Sequence, residues 1–320
     1  MLDHEQNRTT GISATADTFV HYLFASPGNE GILCSFVNAV QDNAGLPMVK
    51  ETRVLNPFNP KTFLTDKRSI IDIKAVAKDD RIFVIEFQVA EHAAFVNRVL
   101  YYWSKTYCGQ LKEGDAYGEL NPVAMIIMTR FELFKELKKL HNTFWITAQD
   151  EPEYVLTGDL QMHVLELIKE KASQIPQMKE PLCKWLEFFY YADKKSEAEM
   201  KVLLQNTDTA IQQAYDKFRI FIQNEELRRV EDARQQYLHD FNTAIQSAEN
   251  KGIEKGIEKG IEKGLTAQVV TLVRILTKRF GLVSQAVVEK LHAINDLDRL
   301  SQLTDLSLDC ETLDEFEAAL

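Results

Sequence analysis

The chain has 320 residues, of which 45% are hydrophobic and 27% charged, so it is long enough for a substantial core and is not disordered throughout. Its 48 acidic residues outnumber 37 lysines and arginines, and the net charge of −11 excludes a uniformly basic protein that coats nucleic acid. The polar start predicts that no signal peptide is present, and the four widely spaced cysteines predict neither a disulfide scaffold nor a zinc module. A cytoplasmic protein without a membrane span is therefore expected.

The first half of the chain, residues 12–170, alternates strand-like and helical patterns, which predicts an α/β domain. Helices are predicted over residues 31–42 and 93–110, where apolar residues recur at helical spacing. Six apolar runs are typical of strands, at residues 48–55, 69–77, 81–90, 122–130, 143–149 and 160–169. The polar turn Lys78-Asp79-Asp80 predicts that the second and third of these strands form an antiparallel hairpin.

The rest of the chain is predicted to be helical. Residues 171–250 are predicted to be a helical region. From about residue 181 they are rich in Glu, Gln, Lys and Ala and are expected to form two or three long helices. Residues 251–264 repeat the unit KGIE, whose four glycines each cost about 1 kcal/mol of helix propensity relative to alanine. Two interpretations stay open for this repeat: self-association through its glycine ridge, or a solvated linker helix. Residues 265–320 predict a small helical domain whose first helix ends at Gly281.

Polar side chains interrupt the two strands of the predicted hairpin. Asp72 lies within the first strand, and Glu86 and Gln88 lie within the second. Residues two apart on a strand point to the same face, and the hairpin brings Asp72 near Glu86. Two carboxylates and an amide would then converge on one patch, where Mg²⁺, Mn²⁺ or Ca²⁺ compensates the burial of charge. The alternative is that these side chains face solvent at a sheet edge.

The helix over residues 93–110 presents a polar row. Arg98, Tyr102 and Lys105 fall at positions i, i+4 and i+7, a pattern that suits a DNA phosphate track with a stacking ring. Lys74 lies two residues beyond Asp72 on the same strand face and is expected to assist in contacting DNA. For the helix, the alternative is that the polar row is simply a face exposed to solvent. The opposite face is predicted to pack on the sheet through Val96, Val99, Leu100, Trp103 and Tyr107. Residues 50–110 carry 10 basic and 7 acidic groups, a local balance of +3.

The chain resembles the recombination-promoting nuclease and transposase family, within the PD-(D/E)XK nuclease superfamily. Three segments carry the resemblance, in this order: TDKRSIIDIKA, RIFVIEFQVA and FVNRVLYYWSKTYCGQLKEGDAYGELNPVAMIIMTRFELF. It implies a nuclease core with a central mixed sheet flanked by helices, metal-dependent cleavage of DNA, and Asp72 and Glu86 as metal ligands. Gln88 stands where the wider superfamily usually has lysine, but an E-x-Q ending is typical of this family. The chain departs from its relatives at Val20 and His21, where they often have Phe and Lys.

These observations lead to the interpretation of the chain as a metal-dependent DNA endonuclease associated with recombination or transposition. Asp72, Glu86 and Gln88 are its predicted catalytic residues, and DNA is its predicted partner. A second copy of the chain is a further candidate partner, through the helical half or the KGIE repeat. The alternative function is a transposase-derived protein that binds DNA or protein partners without cutting. A toxin or phage-defence effector would use the same site.

Overall fold

The computed structural model describes residues 11–59, 73–88, 94–171 and 178–320. The chain divides into two compact units, Met1–Gln236 and Tyr237–Leu320. Within the described residues, no helix is both long enough and apolar enough to cross a bilayer. The first unit holds the sheet with its flanking helices, and the second unit is helical. The boundaries predicted at residues 170, 250 and 264 stay predictions.

The described part of the first unit contains one mixed sheet of six strands. The strands are β1 Thr52–Val54, β2 Ile73–Ala77, β3 Ile82–Gln88, β4 Val123–Thr129, β5 His141–Phe144 and β6 Leu160–Glu166. Their spatial order is β1-β2-β3-β4-β6-β5; β3, β4 and β6 run parallel, and the other pairs are antiparallel. The predicted hairpin is confirmed, because Ile73 of β2 lies opposite Ile85 of β3 and Asp80 takes a positive φ in the turn.

Helices surround this sheet and make up the second half of the chain. They are α1 Asp17–Ala25, α2 Glu30–Asn43, α3 Phe95–Cys108, α4 Glu180–Tyr191, α5 Glu197–Leu203, α6 Thr209–Gln223, α7 Glu225–Phe280, α8 Gln285–His292, α9 Leu297–Asp309 and α10 Leu313–Ala318. Short 3₁₀ helices lie at Tyr117–Glu119 and Leu167–Lys171. The predicted helices over residues 31–42 and 93–110 correspond to α2 and α3, whereas α1 was not predicted.

Two apolar layers cover the two faces of the sheet, because alternate residues of β3, β4 and β6 point in opposite directions. The layer on the α1 and α2 side also takes in α4 and α6, so these two helices belong to the core of the first unit. Phe87 of β3, for example, packs on Phe189 of α4, with ring centroids 5.1 Å apart. Every residue of β4 and β6 is buried, as strands between two layers should be.

Helix α3 packs on the other face of the sheet with a rotation that differs from the prediction. Phe95 and Val99 are buried, but Val96 and Leu100 are 44% and 46% exposed. The prediction for these two residues was wrong, because apolar residues occur at helical spacing from both position 95 and position 96. Packing against the sheet selects the face that begins at Phe95, whose ring lies 5.9 Å from that of Phe131 in an edge-on contact.

The second unit has a small core of its own. The C-terminal part of α7 packs with α8, α9 and α10 through apolar side chains that include Leu272, Leu291, Leu303 and Phe316. Helix α7 ends at Phe280, and Gly281 follows with a φ of +90°. The predicted stop at this glycine is confirmed, because a residue without Cβ adopts that conformation at low cost.

Candidate active site

Glu86 and Gln88 lie at the end of β3, in the middle of the sheet. The parallel ladder pairs Glu86 with Ile127 and Gln88 with Thr129 of β4. Both side chains turn toward α3, as their two-residue spacing predicts, while Phe87 between them enters the opposite layer. Glu86 is only 3% exposed, so its carboxyl group is held in the protein interior rather than at a solvated edge.

One guanidinium group joins these two side chains. Arg98 of α3 donates through Nη2 to Glu86 Oε1 at 2.5 Å and to Gln88 Oε1 at 2.6 Å. The guanidinium carbon also lies 5.2 Å from the centroid of the Phe95 ring, one turn earlier in the helix. Charge-assisted hydrogen bonds of this kind are short and strong. Arg98 is therefore held at the site as the counter-ion of Glu86.

The Glu86 carboxyl group is only partly compensated. Burial raises the pKa of Glu86, Arg98 acts in the opposite direction through its charge and hydrogen bond, and the Asp17 carboxylate raises the pKa further. Its second oxygen, Oε2, is buried and has no hydrogen-bond partner among the described residues. A buried carboxylate oxygen without a donor is costly, and a bound cation would compensate it.

Asp17 adds a second carboxyl group from α1, where it is the first residue of the helix. Arg234 of α7 lies 3.3 Å from its Oδ2, through Nη2. Burial raises the pKa of Asp17, Arg234 acts to lower it, and the nearby Glu231 raises it. Glu231 is buried one turn before Arg234 and accepts a hydrogen bond from Gln235 at 2.6 Å.

The charged groups that act on Glu86 and Asp17 therefore come from four elements, α1, β3, α3 and α7. The sequence analysis predicted site residues on β3 and α3 but none on α1 or α7. The sequence drew attention to the start of α1 through its resemblance to relatives, but not to Asp17 as a site residue. It carries no local signal for Glu231 and Arg234, which lie in an ordinary amphipathic stretch of helix.

The other predicted site residues have different surroundings. Asp72 lies outside the described residues. Lys74 is half-buried on β2 opposite Val84, so it shares the sheet face of Glu86, and its backbone N–H donates to Asn56 Oδ1 at 2.7 Å. The side chain of Lys74 stays a predicted DNA contact.

The predicted row on α3 is not brought together as one exposed track. Arg98 turns to Glu86, whereas Tyr102 packs partly buried in the apolar layer under the helix. Lys105 is exposed, with Nζ 5.9 Å from the Tyr101 ring centroid. On α1, His21 is buried beside Phe58, with ring centroids 6.4 Å apart.

The residues present suit a hard cation. Glu86, Gln88 and Asp17 offer carboxylate and amide oxygens, which are the ligand types that Mg²⁺ and Ca²⁺ prefer. Within the described ranges, no group of three His, Cys, Asp or Glu side chains is arranged to hold a metal ion. Asp72, the other predicted metal ligand, lies beyond those ranges.

A second buried polar cluster lies at the other side of the sheet. His141 Nε2 is 3.1 Å from His163 Nδ1, Asn43 Nδ2 is 2.7 Å from His141 Nδ1, and Gln41 Nε2 is 3.2 Å from His163 Nε2. Burial lowers the pKa of His141 to about 4, and burial and the neighbouring His141 lower that of His163 to about 3. The sequence indicates no partner for either histidine, but β5 and β6 bring them together as a neutral pair.

Comparison with known proteins bears on this arrangement. Residues 15–248 match a family model described as PD-(D/E)XK nuclease family transposase. No curated protein and no solved structure matches the chain. The mixed six-stranded sheet with flanking helices and a helical C-terminal half is consistent with the fold of such nucleases, so the predicted family and fold class are confirmed.

Proposed function

Because the chain belongs to the PD-(D/E)XK nuclease family transposases, we propose that it is a metal-dependent DNA endonuclease associated with recombination or transposition. One observation carries this proposal: Glu86 is buried at the end of a central strand, joined to Gln88 through Arg98, and one of its carboxylate oxygens has no donor among the described residues. Nuclease family membership indicates a DNA substrate. The cytoplasm is the proposed location, on the spacing of the cysteines alone.

In this proposal Asp72 and Glu86 hold Mg²⁺ or a similar divalent cation. Such an ion lowers the pKa of a bound water and neutralises charge that builds up on a phosphate. Glu86 contributes Oε2, the atom without a donor among the described residues. Gln88 orients the attacking water or a phosphate oxygen through its amide, which can both donate and accept. Arg98 keeps Glu86 and Gln88 in position and supplies the positive charge that Gln88 cannot.

The DNA strand is proposed to contact the α3 side of the sheet. Lys74 shares the sheet face of Glu86, and Lys105 is exposed on α3. Arg98 and Tyr102 lie one turn apart on the same helix. Cations near the scissile bond would attract the phosphate backbone, in spite of the acidic balance of the whole chain.

Plasmid cleavage tests the proposal directly. The wild-type protein with Mg²⁺ or Mn²⁺ is expected to nick or linearise supercoiled DNA, and Asp72→Ala and Glu86→Gln are expected to lose this activity by at least about a hundredfold. Glu258→Gln, which removes an exposed carboxylate from α7, is the matched control and should cleave like the wild type. Equal cleavage by Asp72→Ala and the wild type, or no cleavage with any divalent ion, would contradict the proposal.

The second candidate function is binding of DNA or protein without cleavage. It is favoured by the Arg98–Glu86 pair, which gives the carboxylate a counter-ion without any added cation. Metal titration separates the two functions, because a binding protein needs no cation at Glu86. DNA binding that is the same with EDTA and with Ca²⁺, together with no calorimetric signal for Ca²⁺ or Mn²⁺ alone, would support this candidate.

A further inference from the structure

The segment between β4 and β5 concentrates positive charge. Residues 130–139 read RFELFKELKK and carry four basic and two acidic side chains, a balance of +2 in a chain with a net charge of −11. The basic side chains are all exposed: Arg130, Lys135, Lys138 and Lys139. The structure describes this whole segment, which contains neither helix nor strand, and we name it the basic loop. Its conformation must therefore be fixed by contacts other than a regular backbone ladder.

The basic loop is held by a buried ion pair. Glu166, the last residue of β6, is fully buried, and its Oε2 lies 2.6 Å from Nζ of Lys169, which is 8% exposed. The other carboxylate oxygen, Oε1, accepts hydrogen bonds from the backbone N–H groups of Leu133 at 2.6 Å and Phe134 at 3.0 Å. Removing two charges from water is costly, and such a pair is stable only when further hydrogen bonds satisfy both groups.

Lys169 supplies those further hydrogen bonds on its side of the pair. Its ammonium group also donates to the backbone oxygens of Phe134 at 2.6 Å and Leu137 at 2.5 Å, so all three of its donors are used. Together, the two charged side chains bind the backbone of three loop residues. Phe134 also packs against Phe144 of β5, with ring centroids 5.2 Å apart. The loop is thus fixed from the inside, while its basic side chains are exposed to solvent.

The basic loop starts beside the candidate active site. Gln88 of β3 pairs with Thr129 of β4, which pairs with Glu166 of β6, so the three residues form one row at the carboxyl end of the parallel strands. Neighbouring strands are about 4.8 Å apart, which places Glu166 about 10 Å from Gln88. The backbone N–H of Arg130 donates to the carbonyl oxygen of Gln88 at 3.1 Å. The first residue of the loop therefore contacts the strand that carries the candidate catalytic residues.

The loop also lies on the face of the sheet to which DNA is proposed to bind. Phe131 packs edge-on against Phe95 of α3 at 5.9 Å, and Leu133 and Phe134 join the apolar layer under that helix. Successive phosphates of one DNA strand are about 3.4 Å apart along the duplex axis, so several lie within about 10 Å of any cut. A phosphate held near Glu86 therefore has neighbours close to the basic loop.

We infer that the basic loop binds the phosphates that flank the cut, with Lys135, Lys138 and Lys139 as the contacting residues. Glu166 and Lys169 are positioning residues, because they are buried and fix the loop backbone. A loop that is already ordered loses little conformational entropy when it binds DNA, so more of the electrostatic attraction remains as affinity. Phosphates are the same at every base pair, so these contacts are independent of DNA sequence. The inference rests on the proposed nuclease function.

DNA binding in EDTA tests the loop, because phosphate contacts by lysine need no metal ion and EDTA prevents metal-dependent cleavage. The probe is a short fluorescein-labelled duplex, whose binding is followed by fluorescence anisotropy at several salt concentrations. Lys135→Gln/Lys138→Gln/Lys139→Gln is expected to weaken binding at least about tenfold. It should also reduce the slope of log affinity against log salt by about 2.7, the value for three phosphate contacts.

The matched control removes three exposed lysines at the opposite ends of the strands. Lys50, Lys78 and Lys112 precede β1, β3 and β4, whereas the basic loop follows β4. Lys50→Gln/Lys78→Gln/Lys112→Gln changes the net charge equally and should bind DNA like the wild type. Equal affinities of the two triple variants would overturn the inference and leave the nuclease proposal standing, since plasmid cleavage is measured separately. A wild type that binds no DNA, in EDTA and in Ca²⁺ alike, would overturn both.

A second variant tests the ion pair as the device that positions the loop. Glu166→Met/Lys169→Met replaces the pair with apolar side chains and leaves no buried charge unpaired. Hydrogen exchange in the peptide that contains Leu133 and Phe134 should become faster, and DNA should bind at least about fivefold more weakly. Val164→Ala disturbs the same buried strand without removing a loop contact and should bind DNA like the wild type. Unchanged exchange or unchanged DNA affinity in Glu166→Met/Lys169→Met would overturn the positioning role.

Discussion

Arg98 Nη2 lies 2.5 Å from Glu86 Oε1 and pairs with one of the two oxygens of a buried carboxylate. The same nitrogen lies 2.6 Å from Gln88 Oε1, so one guanidinium group engages both polar side chains of β3. A cation that binds to this end of the strand must share Glu86 with Arg98 or displace it. Metal binding and the position of Arg98 are therefore expected to be coupled.

Replacing Arg98 by methionine is expected to tighten divalent cation binding. The substitution removes a competing positive charge and a charge-assisted hydrogen bond of about 1.5–3 kcal/mol, which corresponds to roughly tenfold or more in affinity. Isothermal titration with Ca²⁺ or Mn²⁺ measures the effect. Arg229→Met, which removes an exposed arginine from α7, is the matched control and should bind like the wild type. Weaker binding by Arg98→Met would mean that the guanidinium supports the cation site.

The affinity for the cation is expected to fall with decreasing pH, starting at a higher pH than for an exposed glutamate. Burial raises the pKa of Glu86, so protons compete with the metal ion for this carboxylate at higher pH than they would for an exposed glutamate. Asp17→Asn removes one contribution to that rise, so the midpoint should move to lower pH, while the affinity at pH 8 decreases through loss of a negative charge. The exposed Asp216→Asn is the control, and an identical pH profile for Asp17→Asn would show that the two carboxyl groups do not interact.

The buried histidine pair predicts loss of stability in mild acid. The pKa values of His141 and His163 are lowered to about 4 and about 3, so the unfolded chain binds more protons as the pH falls from 6.5 toward 4. Each imidazole should therefore cost about 1–2 kcal/mol of unfolding free energy between pH 7 and pH 5. Urea unfolding at the two pH values measures this, and His163→Gln should reduce the pH dependence. The exposed His239→Gln should leave it unchanged.

Helix α4 is expected to be essential for the stability of the sheet. Phe189→Ala removes a fully buried ring that packs on Phe87 of β3, and such substitutions cost about 3–5 kcal/mol. Urea unfolding of the full chain, followed through the first transition, measures the change. Val202→Ala on the surface of α5 is the control, since its side chain is 72% exposed. A change below about 1 kcal/mol for Phe189→Ala would place α4 outside this core.

Much of the sheet and part of the site can be predicted from short-range patterns. The apolar runs of β3 and β4 and the polar turn before β3 indicate these strands directly. Strand geometry repeats every two residues. For the same reason Glu86 and Gln88 had to share a face. The stop at Gly281 follows from backbone freedom at a single residue.

The rotation of α3 could not be predicted in this way. Its apolar residues define two overlapping faces, one starting at Phe95 and one at Val96, and only packing against the sheet distinguishes them. That rotation also decides where Arg98 points. Arg98, a predicted DNA contact, pairs with Glu86 in the structure.

Local pattern by itself determined the strands, the turn and the shared face of Glu86 and Gln88, because each depends on neighbours a few residues away. Tertiary structure alone decided that Asp17 would pair with Arg234, 217 positions away, that Asp17 would raise the pKa of Glu86, and that His141 would contact His163. Long-range contacts form only when distant segments pack against each other in three dimensions. The free-energy cost of burying each charged group then depends on which residue contacts it. The spacing of residues along the sequence does not indicate which distant residues come into contact.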